Sequence, residues 1–229
     1  MRKYPGLYGV IDGIIGCGKS KQTRLLETHL HLDFPELDFL FTYEPGGNPE
    51  ADIIRQDLKH RVMPPEEEMR LFAQSRSITL PQVVLPAIKE GGFVISDRSV
   101  TTSLAYQAFG RELGIEKVWR ANEKAVNGIL PDFVIWMNVG LETCLKRSSG
   151  ENPDKFDRES RAFWHRTIEG YREMLKFLTI LNPEIKTIQI DDPEGALGIE
   201  EMRLEIRSHL YPIIEAHNAE GRILRERQV

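Results

Sequence analysis

The sequence predicts an α/β fold with three layers, in which helices cover both faces of a five-stranded parallel sheet. Two observations support this fold: short, almost wholly apolar runs alternate with helical patterns along the chain, and a glycine-rich turn joins the first run to the first helical pattern. The predicted strands are Leu7 to Ile11, Asp38 to Thr42, Phe93 to Ser96, Phe133 to Asn138 and Thr187 to Ile190. Each run is short and bounded by turn residues, as is typical of strands buried on both faces.

Apolar residues at helical spacing predict long helices around this sheet. They run from Lys19 to Leu32, Glu66 to Lys89, Arg158 to Leu181 and Ile199 to about Tyr211. The second helix contains Pro81 and Pro86, which lack a backbone N–H, so we expect it to bend there. Two stretches containing Gly and Pro interrupt the pattern: Glu44 to Pro49 follows the second strand, and Ser148 to Phe156 lies between two helices.

The length of the chain bounds its domain organisation. With 229 residues, the chain is long enough for one sizeable domain and short for two. We therefore expect a single domain over residues 1–214, with a short lid at about 148–156. The charged stretch 215–229 is predicted to be a peripheral tail.

Composition and charge exclude several classes of protein. The net charge of −5 disfavours a general nucleic-acid-binding surface, so any phosphate must bind in a local basic pocket. No apolar run reaches the roughly 18–20 residues that a membrane span needs, and Met1 to Gly6 lack a signal-peptide pattern. Cys17 and Cys144 are too few for a disulfide framework or a zinc site, and Cys144 is expected to be a buried helix residue. We therefore expect a cytoplasmic protein that binds neither membrane nor nucleic acid.

A phosphate-binding motif lies between the first strand and the first helix. Residues 13–20 read Gly-Ile-Ile-Gly-Cys-Gly-Lys-Ser and satisfy the Walker A pattern, which predicts the P-loop NTPase fold. Its glycines let backbone N–H groups face phosphate oxygens, and the helix N-terminus adds its dipole. In this pattern Lys19 contacts the β- and γ-phosphates, and the Ser20 hydroxyl binds Mg²⁺. The predicted phosphate-binding residues are Gly13, Ile14, Ile15, Gly16, Cys17, Gly18, Lys19, Ser20 and Lys21.

A second group of polar residues follows the third strand. Asp97 and Arg98 come directly after the run Phe93 to Ser96, at the carboxyl edge where open α/β sheets bind ligands. A carboxylate there can hold Mg²⁺ or its water shell, and an arginine can bind phosphate through two hydrogen bonds. Beside a Walker A motif, the pair predicts a catalytic centre that contains Lys19, Asp97 and Arg98. Its predicted metal ligands are Ser20 and Asp97.

Several motifs, in one order along most of the chain, resemble those of the thymidylate kinases. They are Glu44-Pro45-Gly46-Gly47, Leu71 to Arg76, Val94 to Arg98, Ser103 to Gln107, Pro131-Asp132, Asp154 to Phe156 and Phe163 to Tyr171. The stretch from Val94 through Gln107 is the most specific. The resemblance, closest to the bacterial-type members, implies transfer of the γ-phosphoryl group of ATP to dTMP. It also implies Mg²⁺ as cofactor and a homodimer packed through long helices.

The resemblance further implies how dTMP would be bound. The implied contacts are Glu44, Pro45, Arg55, Phe72, Arg76, Arg98, Ser103, Tyr106 and Gln107. Phe72 would stack on thymine, because an aromatic face suits a planar base. Arg76, one helical turn later, would hydrogen-bond the O4 carbonyl. Arg55 and Arg98 would grip the monophosphate.

On the donor side, the resemblance implies that Arg147 stacks on adenine. The stretch 148–156 would close over ATP and exclude water, which otherwise competes as an acceptor. Within that lid, Lys155 would be a catalytic cation.

The sequence departs from the family pattern at five positions. Ile15 stands where the family usually has an acidic residue, and Gly16 lacks the arginine of one subgroup. Lys155 replaces a lid arginine and supplies charge without the planar fork, so weaker stabilisation of the transferring group is predicted. Tyr43 replaces the arginine before Glu44-Pro45, and Ser99 replaces an aromatic residue.

Other functions stay open on these residues. One is a related kinase with a different or broader deoxynucleotide acceptor, or one acting on a nucleoside, for which Glu44 is the available general base. Another is a non-catalytic nucleotide-binding relative, which Ile15, Tyr43 and the arginine-poor lid would suit. Cys17 carries either a reactive thiol of lowered pKa in an anion site or, as we favour, a tolerated small side chain.

Overall fold

The computed structural model describes residues 3–148 and 155–226, with residues 220–226 described as helical backbone only. Within this part of the chain, five strands form one parallel sheet. They are β1 (Leu7–Asp12), β2 (Phe39–Tyr43), β3 (Phe93–Asp97), β4 (Phe133–Val139) and β5 (Lys186–Asp192), in the spatial order β2-β3-β1-β4-β5. The predicted α/β class and all five predicted strands are confirmed, with strand ends that differ by at most two residues.

Helices flank this sheet and connect its strands. The α-helices are α1 (Lys19–Asp33), α2 (Pro49–His60), α3 (Pro65–Thr79), α4 (Leu85–Lys89), α5 (Val100–Ala105), α6 (Ile115–Val126), α7 (Leu141–Ser148), α8 (Arg161–Leu181) and α9 (Ile199–Glu226). Two π-helical turns, Leu80–Val84 and Tyr106–Gly110, and a 3₁₀ turn, Lys155–Arg158, complete the described elements. In the described ranges, no helix is both long and apolar enough to cross a membrane.

The core lies on both faces of the central strands. β1 lies between β3 and β4, and all its residues are buried. On one face, Tyr171 of α8 stacks on Trp136 of β4 with ring centroids 5.4 Å apart. Both side chains are almost fully buried, and a contact of this size fixes α8 against the sheet.

The register of the sheet brings three strand ends together. Ile11 of β1 and Tyr43 of β2 both lie beside Asp97 of β3. Because the strands are parallel, the loops that follow them leave the sheet at the same carboxyl edge. That edge is where open α/β sheets bind ligands.

The bend expected at Pro81 and Pro86 corresponds to a change of helix type. α3 ends at Thr79, the π-helical turn contains Pro81, and α4 contains Pro86 near its start. Since neither proline can donate a backbone hydrogen bond, the wider turn accommodates the missing donor. The predicted helix from Glu66 to Lys89 is therefore one helical stretch with an internal π segment.

The predicted end of the last helix at Tyr211 is wrong. α9 continues to Glu226 with Pro212 inside it, so the expected boundary at residue 214 falls within a helix. Pro212 is exposed, whereas Ile213 and Ile214 beyond it are buried. Burial of these two side chains offsets the backbone hydrogen bond that the proline removes.

Two predicted loops end in helical caps. Pro49 is the first residue of α2, and the Asn48 side chain accepts a hydrogen bond from the Ala51 N–H at 2.8 Å. The predicted helix start at Arg158 is three residues early, because Ser160 caps α8. Of the expected lid, Ser148 and residues 155–156 are described, and residues 149–154 lie outside the described part of the chain.

Candidate nucleotide site

A cavity of about 260 Å³ opens at the carboxyl edge of the sheet, beside the ends of β1, β2 and β3. The predicted residues that line it are Ile15, Gly16, Lys19, Ser20, Glu44, Pro45, Arg55, Phe72, Asp97, Arg98 and Tyr106. Tyr43, Leu58, Lys59, Thr102 and Phe156 also line it and were not predicted as contacts. Residues of the phosphate motif and of the expected base pocket thus share one cavity.

The glycine-rich loop leads from β1 into α1. Gly18 caps α1 in a left-handed conformation, with φ 97°. Lys19 is buried, and its Nζ donates a hydrogen bond to the Ile14 carbonyl at 3.1 Å. Gly16 also has a positive φ, 75°, and a Cβ there would lie 2.0 Å from the Cys144 carbonyl oxygen. Any side chain at position 16 would therefore require α7 to move.

Ser20 and Asp97 form a pair of oxygen ligands at the base of the cavity. The Ser20 hydroxyl donates a hydrogen bond to Oδ2 of Asp97 at 2.6 Å. Oδ1 of Asp97 is buried, and no described residue forms a hydrogen bond with it. Oxygen donors of this kind are those that Mg²⁺ prefers, so the two predicted metal ligands fit the ion. The described residues contain no group of three or more His, Cys, Asp or Glu side chains arranged for a metal.

Arg98 reaches over the glycine-rich loop from the β3–α5 corner. Its φ is 75°, and its backbone N–H donates to the Ile11 carbonyl. Nη1 donates to the Gly13 carbonyl at 3.2 Å, and the guanidinium lies 5.2 Å from the centre of the Tyr106 ring. Burial opposes its charge, but the phenol groups of Tyr106 and Tyr171, followed by the carboxylates of Asp12 and Asp97, hold the pKa of Arg98 well above its ordinary value. A fixed positive charge therefore faces the cavity.

Asp12, which the sequence analysis did not single out, organises this corner. It is fully buried at the end of β1, and Oδ1 lies 3.7 Å from Nη1 of Arg98. Its carboxylate accepts hydrogen bonds from the Gly13 N–H and from the hydroxyls of Thr101, Thr102 and Tyr171. These hydrogen bonds satisfy the buried carboxylate. Asp12 could have been identified from the sequence, because it is a polar residue at the end of a buried apolar strand.

Arg55 supplies a second positive charge to the same cavity. It is half-buried on α2, and Nη1 donates to the Pro45 carbonyl at 2.7 Å. Burial lowers the pKa of Arg55, and the nearby charge of Arg98 lowers it further. Among the described side chains, Arg55 forms no ion pair with a carboxylate. Two guanidinium groups without full neutralisation attract an anion such as phosphate.

Aromatic side chains form the other end of the cavity. Phe72 of α3 and Phe156 from the 3₁₀ turn have ring centroids 6.5 Å apart, and Tyr106 lies 5.5 Å from Phe156. Phe72 is buried with 5% of its surface exposed, so it serves both the core and the cavity wall. Flat apolar faces opposite two cations suit a planar base that carries a phosphate.

Arg76, Ser103 and Gln107 lie behind this wall rather than on it. Arg76 is 1% exposed, and its Nε lies 2.7 Å from Oε2 of Glu44. Its Nη atoms donate to Asn122 and Ser103. Burial raises the pKa of Glu44, and the charge of Arg76 opposes that shift. The predicted hydrogen bond from Arg76 to a base is therefore not shown, because protein partners engage the guanidinium.

A buried carboxylate engages two more predicted residues, Gln107 and Lys155. Glu68 of α3 is 1% exposed; together with Gln107, Arg111 and Lys155 it forms what we call the Glu68 cluster. Gln107 donates to Oε1 at 2.9 Å, Arg111 donates to both oxygens at 3.1 and 3.0 Å, and Nζ of Lys155 lies 2.7 Å from Oε2. Burial would raise the pKa of Glu68, but Arg111 and Lys155 outweigh it and hold the pKa below its ordinary value. Lys155 therefore faces Glu68 and not the glycine-rich loop.

Six further predicted residues are not among those that line the cavity: Gly13, Ile14, Cys17, Gly18, Lys21 and Arg147. Arg147 is exposed near the end of α7, and Lys21 is exposed on α1. Cys17 is buried beneath the loop, which agrees with a tolerated small side chain. Cys144 is fully buried on α7, as predicted, and burial raises its pKa to about 12.

Comparison with known proteins shows the family of this chain. The family model described as thymidylate kinase matches residues 11–194. The thymidylate kinase of Caldanaerobacter subterraneus subsp. tengcongensis is 35% identical over 199 residues, which cover 86% of this chain and 92% of that protein. The thymidylate kinase of Finegoldia magna is 39% identical over 190 residues, 81% of this chain and 89% of that protein.

The fold also matches a solved structure. A crystal structure of thymidylate kinase from Ehrlichia chaffeensis superposes with a TM-score of 0.68 at 22% identity, over 90% of this chain and 99% of that chain. At 22% identity this similarity shows the fold alone. The family is shown by the sequence relatives and the family model. The chain belongs to the thymidylate kinase family.

Proposed function

We propose that the protein is a thymidylate kinase, which transfers the γ-phosphoryl group of ATP to dTMP and yields dTDP and ADP. Family membership supports the reaction class, an ATP-dependent phosphoryl transfer to a nucleoside monophosphate. One observation carries the proposal beyond the family: a single cavity joins the glycine-rich loop to two arginines and an aromatic wall. Donor and acceptor phosphates would therefore meet inside one cavity.

The acceptor would occupy the part of the cavity between Phe72 and the two arginines. The ring of Phe72 would cover the base, and Arg55 and Arg98 would bind the monophosphate from two sides. Tyr106 packs on Arg98 and would border the sugar. Arg76, held by Glu44 and Asn122, supports this wall from behind unless the base displaces one of those partners.

The donor would lie on the glycine-rich loop. Lys19 would exchange its contact with the Ile14 carbonyl for phosphate oxygens, and the helix N-terminus would add its dipole. Ser20 and Asp97 would hold Mg²⁺, which neutralises charge on the phosphates when bound. Arg147 as an adenine contact, and Lys155 as a catalytic cation released from Glu68, are proposals that rest on the family resemblance.

The reaction needs little covalent participation by the protein. Phosphoryl transfer depends on positioning the two substrates and on neutralising charge as it develops. Arg98 stands between the donor loop and the acceptor region, where it can contact both phosphates. Phe156 and Tyr106 narrow the cavity and limit the access of water, which competes as an acceptor.

The test is ADP release coupled to a spectroscopic readout, with dTMP, dUMP, dCMP and thymidine as acceptors. We expect turnover that depends on dTMP, and losses of about 10²–10³-fold in kcat/KM for Lys19→Ala and Arg98→Ala. Lys176→Ala and Arg120→Ala are matched controls, because both cations are exposed on the surface, at 68% and 78%. Absence of dTMP-dependent ADP release by folded protein with Mg²⁺ and ATP would refute the proposal.

The same acceptor panel decides between the alternatives. Equal or faster turnover with dUMP or dCMP would indicate a broader kinase, and turnover with thymidine would indicate a nucleoside kinase with Glu44 as base. ATP binding by calorimetry without any turnover would indicate a non-catalytic relative. A homodimer and a cytoplasmic location are further proposals from the family resemblance.

A further inference from the structure

We propose that Tyr43 is a positioning residue that holds Arg55 over the phosphate end of the cavity. The inference rests on the proposed function, since it concerns how the acceptor monophosphate is bound. Tyr43 is the last residue of β2 and lies beside Asp97 in the register of the sheet. It stands where the family pattern has arginine, so this chain must arrange the position differently.

The tyrosine ring is itself fixed from two directions. Its hydroxyl donates to Oδ1 and Oδ2 of Asp52 at 3.0 and 3.1 Å. Burial, with Asp52, raises the pKa of Tyr43, so the hydroxyl keeps its proton and acts as a donor. A Cβ on Gly46 would lie 2.5 Å from Cε2 of the ring, so the ring occupies space that only glycine leaves free. Two χ angles and these contacts leave the ring little freedom.

Arg55 lies on that fixed ring. Its guanidinium carbon is 4.8 Å from the ring centre, within the range of a cation–π contact, while Nη1 binds the Pro45 carbonyl at 2.7 Å. Asp52 and Arg55 are one turn apart on α2, so a single helical turn grips both the hydroxyl and the face of Tyr43. Arg55 keeps donors that are not engaged by a described carboxylate and can bind phosphate.

Tyr43 is a neutral side chain at a position where the family pattern has a charged one, and it restricts the conformation of Arg55. A family arginine at position 43 would bring a further cation, whereas Tyr43 brings none and instead restricts the rotamers of Arg55. Pre-arranging a long side chain before binding removes part of the entropy cost of immobilising it on the ligand. We therefore expect Tyr43 to affect dTMP binding through Arg55 and to leave ATP binding unchanged.

The experiment is a double-mutant cycle read by calorimetry of dTMP binding and by the KM for each substrate. Tyr43→Leu keeps apolar bulk without a π face, Tyr43→Phe keeps the face without the hydroxyl, and Arg55→Ala removes the partner. We expect Tyr43→Leu to weaken dTMP binding about tenfold and Tyr43→Phe less than about threefold, with ATP binding unchanged. In the Arg55→Ala background, Tyr43→Leu should add nothing, because the group it positions is gone.

Tyr43 is 39% exposed, so these variants should fold, and Tyr43→Gln serves in the same cycle if Tyr43→Leu does not. Equal losses for Tyr43→Leu with and without Arg55 would overturn the inference, as would Tyr43→Phe binding as weakly as Tyr43→Leu. If the wild-type protein binds ATP but does not bind dTMP, the proposed function and this inference are both wrong. Normal dTMP binding by Tyr43→Leu would overturn the inference alone.

Discussion

Replacing Glu68 by glutamine should destabilise the protein strongly, because it removes the only carboxylate charge buried in the Glu68 cluster. Glu68 is 1% exposed, while its ion-pair partners Arg111 and Lys155 are 17% and 9% exposed. Glutamine preserves shape and one acceptor oxygen, so the change isolates the charge. Two largely buried cations would then face a neutral group.

The size of the effect follows from burial. Removing one partner of a buried ion pair costs about 3–5 kcal/mol, since the remaining charge stays desolvated. Arg111 retains a second partner, Glu159, with Nη1 at 2.6 Å from Oε1. We therefore expect a loss near the lower limit, about 3 kcal/mol in the free energy of unfolding, equivalent to about 6–12 °C in Tm for a chain of this size.

Urea unfolding and calorimetric Tm measure this loss directly. Glu66→Gln is the matched control, because Glu66 lies on the same helix and pairs with Lys117 in solvent, where the two side chains are 46% and 51% exposed. It should leave the urea midpoint nearly unchanged. If Glu68→Gln shifts the midpoint no more than Glu66→Gln does, the Glu68 cluster contributes no net stability and the reasoning is wrong.

The remaining predictions concern pH and one buried hydroxyl. Because the folded-state pKa of Glu68 lies below its ordinary value of 4.5, its contribution to stability is present above that pH and is lost as the pH falls through the folded pKa. The free energy of unfolding should therefore fall more steeply with acidification in the wild type than in Glu68→Gln, as urea titrations between pH 3 and pH 7 would show; parallel curves would contradict it. Tyr171→Phe removes the hydroxyl that donates to Asp12 at 2.6 Å and keeps the ring on Trp136, so it should cost about 2 kcal/mol of unfolding free energy. An unchanged urea midpoint in that variant would show that the hydrogen bond from Tyr171 to Asp12 contributes no net stability.

The central strands of the sheet could be predicted because they are buried on both faces, whereas β2 and β5 at its edges are only partly buried. A run such as Phe133 to Asn138 has no polar face, and in a chain of this length only the centre of a doubly covered sheet accommodates it. The glycine-rich loop could also be predicted from the sequence, because its residues are consecutive in the chain. The end of α9 was not, because Pro212 stops a helix in most contexts and its tolerance depends on the burial of Ile213 and Ile214.

The candidate site was predicted unevenly for a related reason. Residues that line the cavity from adjacent turns, such as Lys19 and Arg98, followed from motif and strand position. Gln107 and Arg111, two of the partners of Glu68, lie 39 and 43 residues further along the chain. A local sequence pattern does not reveal contacts between residues so far apart. Asp12 could have been found from its place at the end of β1, but the four groups that bind it come from α5, α8 and the loop.

The left-handed backbone at Arg98 has a consequence for how this position can change over evolutionary time. A side chain at φ 75° costs about 1 kcal/mol relative to glycine. The guanidinium offsets this strain, because it donates to the Gly13 carbonyl at 3.2 Å and lies 3.7 Å from the buried carboxylate of Asp12. Glycine at position 98 would relieve the backbone but leave Asp12 without this cation, so the residue that evolution can accept here is limited by folding as well as by phosphate binding.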